Sequence, residues 1–305
     1  MALPRDALWP RSGNWPAVTG QDIDPGPIDL GLIGIPTWRT SLSPTGAAAT
    51  PVAVRAALQY YSEFLAPDRG VRAGTRLKTR FADWGDVADP DEDEASAISA
   101  VATAAAHSRL LVALGGDNAA TVPAALGAWG DRIGSAGLVT LDAHHDLRDG
   151  VSNGSPVRRL VEAGLAGRRI VQVGIADFAN SAEYSARAAD YGITVIHRDE
   201  LHRRPMAEVM AEALEIAGSA GGPVHVDIDV DVCDRSAAPA CPASVPGGIA
   251  AWELRVAARA AGEHPSVESI DFAEVDSTAD AADGRTVRLV ALCVLEAAAG
   301  LEARQ

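Results

Sequence analysis

Short apolar runs alternate with amphipathic stretches along most of this chain. The runs Ile28–Ile35, Leu110–Leu114, Gly137–Leu141, Ile170–Val173, Thr194–Ile196, Val224–Val230 and Val267–Ala273 are rich in Val, Ile and Leu. Near-continuous apolar runs suit strands covered on both faces. Helical spacing marks Pro51–Tyr61, Asp93–Ser108, Ala119–Ala128, Pro156–Ala163, Ala182–Tyr191, Met206–Ala217, Ala251–Ala261 and Thr286–Gly300. A strand followed by a helix, repeated, implies crossover connections and hence parallel pairing. The pattern predicts an α/β chain, a three-layer α/β/α sandwich with a central, mostly parallel sheet. No stretch reads as an interdomain linker, so residues 1–305 are expected to form a single domain. The first 27 residues, rich in Pro, Trp and Gly, are expected to lie over it as an irregular arm.

In an open parallel sheet the ligand site lies beyond the carboxyl ends of the strands. Leu110–Leu114 runs into Gly115-Gly116-Asp117-Asn118, where glycines permit a tight turn and the polar pair opens a helix. Gly137–Leu141 runs into Asp142-Ala143-His144-His145-Asp146. Alternate residues of an extended backbone share a face, which groups Asp142, His144 and Asp146 and turns His145 away. Val224–Val230 carries Asp227 and Asp229 with Asp231 just beyond, again at period two, and Asp234 follows. Buried acids on one face are costly without a cation. Oxygen-rich ligation with a minority of imidazole suits Mn²⁺ or Mg²⁺, and two acid clusters suggest two ions. Val267–Ala273 ends in Glu274-Val275-Asp276, placing a further acid at the same edge.

Charge and composition narrow the classes. A net charge of −15 and a pI of about 4.8 argue against non-specific nucleic-acid binding. Three cysteines, Cys233, Cys241 and Cys293, form neither a disulfide framework nor a zinc knuckle and fit a reducing cytosol. The N-terminus lacks the apolar core of a signal peptide, and no run is long enough to span a bilayer. A cytoplasmic protein acting on a small molecule is expected, with no membrane or nucleic-acid partner.

Taken in order, these motifs resemble the ureohydrolase superfamily, which includes arginase, agmatinase and formimidoylglutamase. Thr45-Gly46-Ala47 to Arg55 and Trp84-Gly85-Asp86 resemble its early elements. Gly115-Gly116-Asp117-Asn118 stands where the family has GGDH, and Asp142 to Asp146 matches DAHxD. Asp229-Val-Asp231-Val-Cys-Asp234, followed by Ala238-Pro239, matches DxDxxDP…AP; Gly247-Gly248 and Glu274-Val275-Asp276 follow. The resemblance implies an arginase-like fold and two Mn²⁺ per subunit. It makes Asn118, Asp142, His144, Asp146, Asp229 and Asp231 the metal ligands, with Asp142 and Asp229 shared between the ions. It gives Asp227, where the family has Ser, and Asp234 supporting roles. It makes Glu274 the residue that receives the cationic substrate nitrogens. Asn118 replaces a ligating histidine, and its neutral amide should hold its ion more weakly. The loop after DAHxD lacks the family's proton-shuttling histidine, which leaves Asp146 or a water to protonate the leaving amine.

Asp146-Leu-Arg148 and Asn153-Gly154-Ser155-Pro156, with Asp283-Gly284-Arg285-Thr286, are most similar to formimidoylglutamases. That likeness implies hydrolysis of N-formimidoyl-L-glutamate to L-glutamate and formamide, with Arg148, Asn153, Ser155 and Glu274 binding substrate. Arg158 and Arg159 read better as surface residues. Agmatinase, guanidinobutyrase or arginase activity is the neighbouring alternative, and a non-catalytic binding or assembly homologue is the alternative of another class. The family resemblance implies a homotrimer or homohexamer.

Overall fold

Side chains alternate between two faces along each strand, and here both faces are covered. The computed structural model describes residues 6–18, 26–66 and 74–304. Its strands are β1 (Ile28–Ile35), β2 (Phe64–Leu65), β3 (Thr75–Arg76), β4 (Phe81–Asp86), β5 (Ser108–Gly115), β6 (Gly137–Leu141), β7 (Ile170–Ile175), β8 (Thr194–His197), β9 (Val224–Asp229) and β10 (Val267–Ala273). The helices are α1 (Thr50–Leu58), α2 (Glu94–Ala106), α3 (Thr121–Trp129), α4 (Pro156–Glu162), α5 (Ala182–Tyr191), α6 (Arg198–Leu201), α7 (Met206–Ala217), α8 (Ala251–Glu263) and α9 (Arg285–Ala303). Eight strands form one sheet in the order β4-β1-β5-β10-β9-β6-β7-β8, and every pairing in it is parallel. The predicted α/β/α sandwich is therefore the observed architecture. The short β2–β3 ribbon is antiparallel and separate.

The two helical layers read different residues of the same strands. Leu110, Val112 and Leu114 of β5 pack with Val54 and Leu58 of α1, Leu254 of α8 and Val290 of α9. Leu111 and Ala113 of the same strand pack with Val101 of α2 and Ala124 of α3. In β9, Val224, Val226 and Ile228 join the first core. The alternate residues His225, Asp227 and Asp229 are equally buried but polar. They lie on the α3 face, where His225 meets the Trp129 ring edge-on at 6.2 Å. A polar seam thus runs along the inside of the sheet toward its carboxyl edge.

Two differences from the sequence reading have clear causes. The edge strand β4 is missing from the predicted set because Phe81-Ala-Asp-Trp-Gly-Asp86 breaks its apolar run with acids after two residues. Its strand partners are Leu30, Gly31, Leu32 and Gly34 of β1, and among the described residues its other side meets only a short bridge from the N-terminal segment. The strand at 224 ends at Asp229, and Val230–Val232 forms a 3₁₀ turn in which Asp231 N donates to Asp229 Oδ1 at 2.8 Å. Of the expected arm, residues 1–5 and 19–25 lie outside the described residues. Within 6–18, Trp15 stacks on Phe81 with centroids 4.2 Å apart, and Ala17 bridges to Asp83.

The early motifs prove to be mutual braces. Arg55 of α1 grips both oxygens of Asp83, at 2.7 and 2.9 Å, and reaches Asp86. Asp276 accepts from Gly46 N at 2.8 Å. Gly116 allows the segment at 37 to press against the β5 turn: Asp117 N donates to Thr37 O at 3.0 Å, and a β-carbon on Gly116 would stand 2.0 Å from that oxygen. Gly116→Ala is therefore expected to lower stability by about 1–3 kcal/mol through overpacking. Urea denaturation measures this, and an unchanged midpoint would show that the 37–47 segment yields freely.

Candidate active site

Strands β5, β10, β9 and β6 are consecutive neighbours at the centre of the sheet, so their carboxyl ends open at one place. Asn118 follows β5, Glu274 follows β10, Asp229 ends β9, and Asp142 follows β6. All are buried, as are Asp146 and Asp231. His144 is half-buried, with Nδ1 at 2.9 Å from Asp231 Oδ2 and 3.3 Å from Asp142 Oδ1. Asp142, His144 and Asp231 each offer one atom within 4.8 Å of the others, a grouping that could hold a metal ion. Of the expected set Asp142, His144 and Asp146, the first two join Asp231 in this group, while Asp146, at positive φ, meets the Asn118 amide instead. His145 also borders the cavity, but its Nδ1 is engaged 2.7 Å from Gln172 Oε1.

Asp146 and Glu274 both adopt positive φ, 50° and 61°. That conformation is disfavoured for residues bearing a β-carbon. At Asp146 the chain leaves the strand end; at Glu274 it turns the carboxylate inward. Glu274 accepts from Asn118 N at 3.1 Å, and Asn153 Nδ2 donates to both its oxygens at 3.1 and 3.0 Å. Asn153 Oδ1 accepts from Leu42 N, tying the loop after DAHxD to the segment at 42.

Like charges packed out of water dominate the electrostatics. Burial, then Asp231, pushes Asp142 up to about 6. Burial pushes Glu274 up to about 7 against the hydrogen bonds from Asn153. Burial and neighbouring carboxylates raise Asp146 and Asp229 well above the usual range. For His144, burial alone would lower the imidazole, but Asp231 and Asp142 outweigh it and push it up to about 12. Burial would raise Asp231 as well, and His144 more than reverses that. Beside them, Asp227 has both oxygens buried without a hydrogen-bond partner and is raised by burial and by Asp271. A donor set of carboxylates and one imidazole, short of positive charge, is chemically matched to hard divalent cations.

A cavity of about 360 Å³ opens onto this edge. Its walls include His144, Asp146, Asp229, Asp231 and Glu274 on the acidic side, and Arg148, Asn153, Asn180 and Tyr184 opposite or beside them. Arg148 is exposed, and no ion pair or hydrogen bond engages its guanidinium among the described residues. Ser155, expected to bind substrate, does not reach the cavity. It is fully buried, donates to Ser152 O at 2.8 Å and accepts from Ser152 N at 3.0 Å, so it shapes the loop. Asp234 also stands apart from the buried carboxylate cluster. It accepts from Gly247 N and from Ser236, closing the 234–247 loop. Arg158 bonds to Arg148 O and pairs with Glu162, and Arg159 pairs with Glu94, so both are structural. Asn180 and Tyr184 went unread in the sequence because they belong to no motif; only the fold carries them to the cavity.

With this geometry in view, known proteins sharpen the class. The arginase family model matches residues 28–300, and the chain belongs to the arginase family. Formimidoylglutamase of Bacillus subtilis (strain 168) is 32% identical over 294 residues, 93% of this chain and 89% of that protein. The crystal structure of formimidoylglutamase from Bacillus subtilis superposes with a TM-score of 0.87 at 28% identity, covering 99% of this chain and 95% of that one. A crystal structure of Trypanosoma cruzi formiminoglutamase with Mn²⁺ shares the fold, with a TM-score of 0.79 at 24% identity over 91% of this chain and 95% of that one.

Protons held by the site set a pH dependence. Unfolded, Asp142 and Glu274 lose their protons near pH 4; folded, they keep them to about 6 and about 7. The folded state therefore binds more protons, and stability falls as pH rises. Metal-stripped protein is expected to melt higher at pH 5 than at pH 8, with the loss concentrated between pH 4 and 7. Thermal unfolding in EDTA tests this; a melting temperature that climbs over that interval would count against it.

Proposed function

We propose that this chain is a manganese-dependent hydrolase of linear amidine C–N bonds, converting N-formimidoyl-L-glutamate and water to L-glutamate and formamide. The observation that carries the choice of substrate is Arg148, an unengaged guanidinium on the wall of the cavity that also holds Glu274. A substrate with a cationic amidine at one end and carboxylates at the other matches an acidic floor and a basic wall. A guanidinium binds carboxylate bidentately. An agmatine-like substrate, cationic at both ends, would instead meet Arg148 as a like charge.

In this reading Asp142, His144 and Asp231 would hold one manganese ion, and Asp146, Asp229 and Asn118 would serve a second. Manganese, when bound, supplies the positive charge that draws a water's pKa toward neutrality and offsets charge developing in the transition state. Glu274 accepts from the amidinium N–H groups. The two hydrogen bonds from Asn153 hold that carboxylate in place, so it need not reorganise during reaction. Arg148 fixes the far carboxylate and so sets which carbon faces the acidic floor. Asp146 would take up the proton released by the attacking water and pass it to the leaving amine, with solvent water as the other source. The 148–156 loop has no histidine, and His145 is engaged by Gln172. The family relation also leads us to propose a homotrimer or homohexamer working in the cytoplasm.

Product analysis tests the reaction. Protein loaded with Mn²⁺ is expected to release formamide and glutamate from N-formimidoyl-L-glutamate faster than it releases urea from arginine, agmatine or guanidinobutyrate. No product from any of them would make the chain a non-catalytic homologue. Arg148→Ala should raise KM for N-formimidoyl-L-glutamate by about 10- to 100-fold with kcat little changed, as loss of a charge-assisted contact predicts. An unaltered KM would remove Arg148 from the substrate site.

A further inference from the structure

From Asn118 and Asp146 a chain of hydrogen bonds runs behind the acidic cluster into residues that the proposed reaction does not use. Asn118 Nδ2 donates to Asp146 Oδ2 at 2.5 Å, and Asn118 Oδ1 accepts from Thr121 Oγ1 at 2.8 Å. The same hydroxyl lies 3.1 Å from Asp271 Oδ2. Asp271 Oδ1 is 2.7 Å from His225 Nε2, and His225 Nδ1 is 2.7 Å from Ser269 Oγ. Asn118, Thr121, Asp271, His225 and Ser269 are all nearly inaccessible to solvent. The seam along the inside of the sheet thus leads directly to Asn118.

Asn118 turns its NH₂ group, not its oxygen, toward Asp146. That arrangement bonds a donor to a carboxylate that would otherwise be buried unpaired. An NH₂ group has no lone pair to give a cation, so Asn118 can ligate only after its amide rotates by half a turn. Rotation carries Nδ2 to Thr121 and would bring two donors face to face unless the hydroxyl also turned. A hydroxyl has one proton and two lone pairs. Thr121 can therefore give its proton to Asn118 Oδ1 in the first arrangement. In the second it can accept from Nδ2–H and give its proton to Asp271 Oδ2, which already stands within reach. His225 holds Asp271 in position for that exchange.

We propose that Thr121 is a positioning residue that allows the Asn118 amide to exchange between a clamp on Asp146 and an oxygen donor to a cation, with Asp271 as the alternative acceptor for its proton. This rests on the reading of Asn118 as a manganese ligand. It explains how a neutral amide replaces an imidazole without leaving Asp146 unpaired when no cation is near.

The test is a double-mutant cycle on Mn²⁺ affinity, read from free Mn²⁺ by electron paramagnetic resonance, with melting curves confirming that each variant is folded. Thr121→Val keeps the shape and removes the hydroxyl, Thr121→Ser keeps the hydroxyl, and Thr121→Ala removes it without added bulk should the valine variant fail to fold. Thr121→Val is expected to weaken the weaker of two Mn²⁺ equivalents by about 10- to 100-fold, the range for lost outer partners of a metal ligand. Thr121→Ser should bind within about threefold of the parent chain. In an Asn118→Ala background, Thr121→Val should cost nothing further, because the two residues act as one unit. Parent-like affinity in both Thr121→Val and Thr121→Ala would overturn the proposal, and so would a loss that persists undiminished in the Asn118→Ala background. If Asn118→Ala itself binds Mn²⁺ as the parent does, the assignment of Asn118 as a ligand fails and takes this proposal with it. If Asn118→Ala weakens binding and the Thr121 variants do not, only the role of Thr121 fails.

Discussion

Everything at the carboxyl edge of this sheet answers to the repulsion among carboxylates held out of water. Asp142, Asp146, Asp229, Asp231 and Glu274 share one small buried region, and solvent cannot screen them there. The chain offsets that repulsion through three features. It keeps protons on acids that would normally lose them, it holds His144 positively charged between Asp142 and Asp231, and it aims the Asn118 amide at Asp146. Each is a partial substitute for a divalent cation. A divalent cation held there would replace each of them, so binding it would release protons.

The sheet order is what makes that crowding unavoidable. The acid-bearing segments are scattered between residues 118 and 274 in sequence, yet the strands that deliver them are adjacent. Helix α3 then covers the polar seam of His225, Asp227 and Asp271 so that no water reaches it. A polar stripe beneath a helix is a poor way to build a core. Here it keeps Thr121 at the start of α3, and Asn118 in the 3₁₀ turn before it, aligned with the acids.

Much of this was legible from residues alone. Parallel buried strands announce themselves by continuous Val, Ile and Leu, and the period-two acids after Leu141 and in Val224–Val230 mark the strand ends that carry chemistry. The features that escaped depend on distant contacts. Strand β4 has too few apolar residues to stand out and is a strand only because β1 offers it an edge. Ser155 lies in a motif-like segment beside Asn153, but only the loop's fold decides that one hydroxyl turns inward while the neighbouring amide meets Glu274. Arg148, Arg158 and Arg159 look alike in sequence, and their different fates depend on whether a carbonyl or carboxylate lies within reach.

The positive φ angles at Asp146 and Glu274 carry an evolutionary consequence. A left-handed backbone costs a residue with a β-carbon about 1–2 kcal/mol relative to glycine. A population of this protein selected only for resistance to heat would be drawn toward glycine at both positions, shedding strain and buried charge in one step. Keeping an aspartate at 146 and a glutamate at 274 therefore costs stability that glycine would recover.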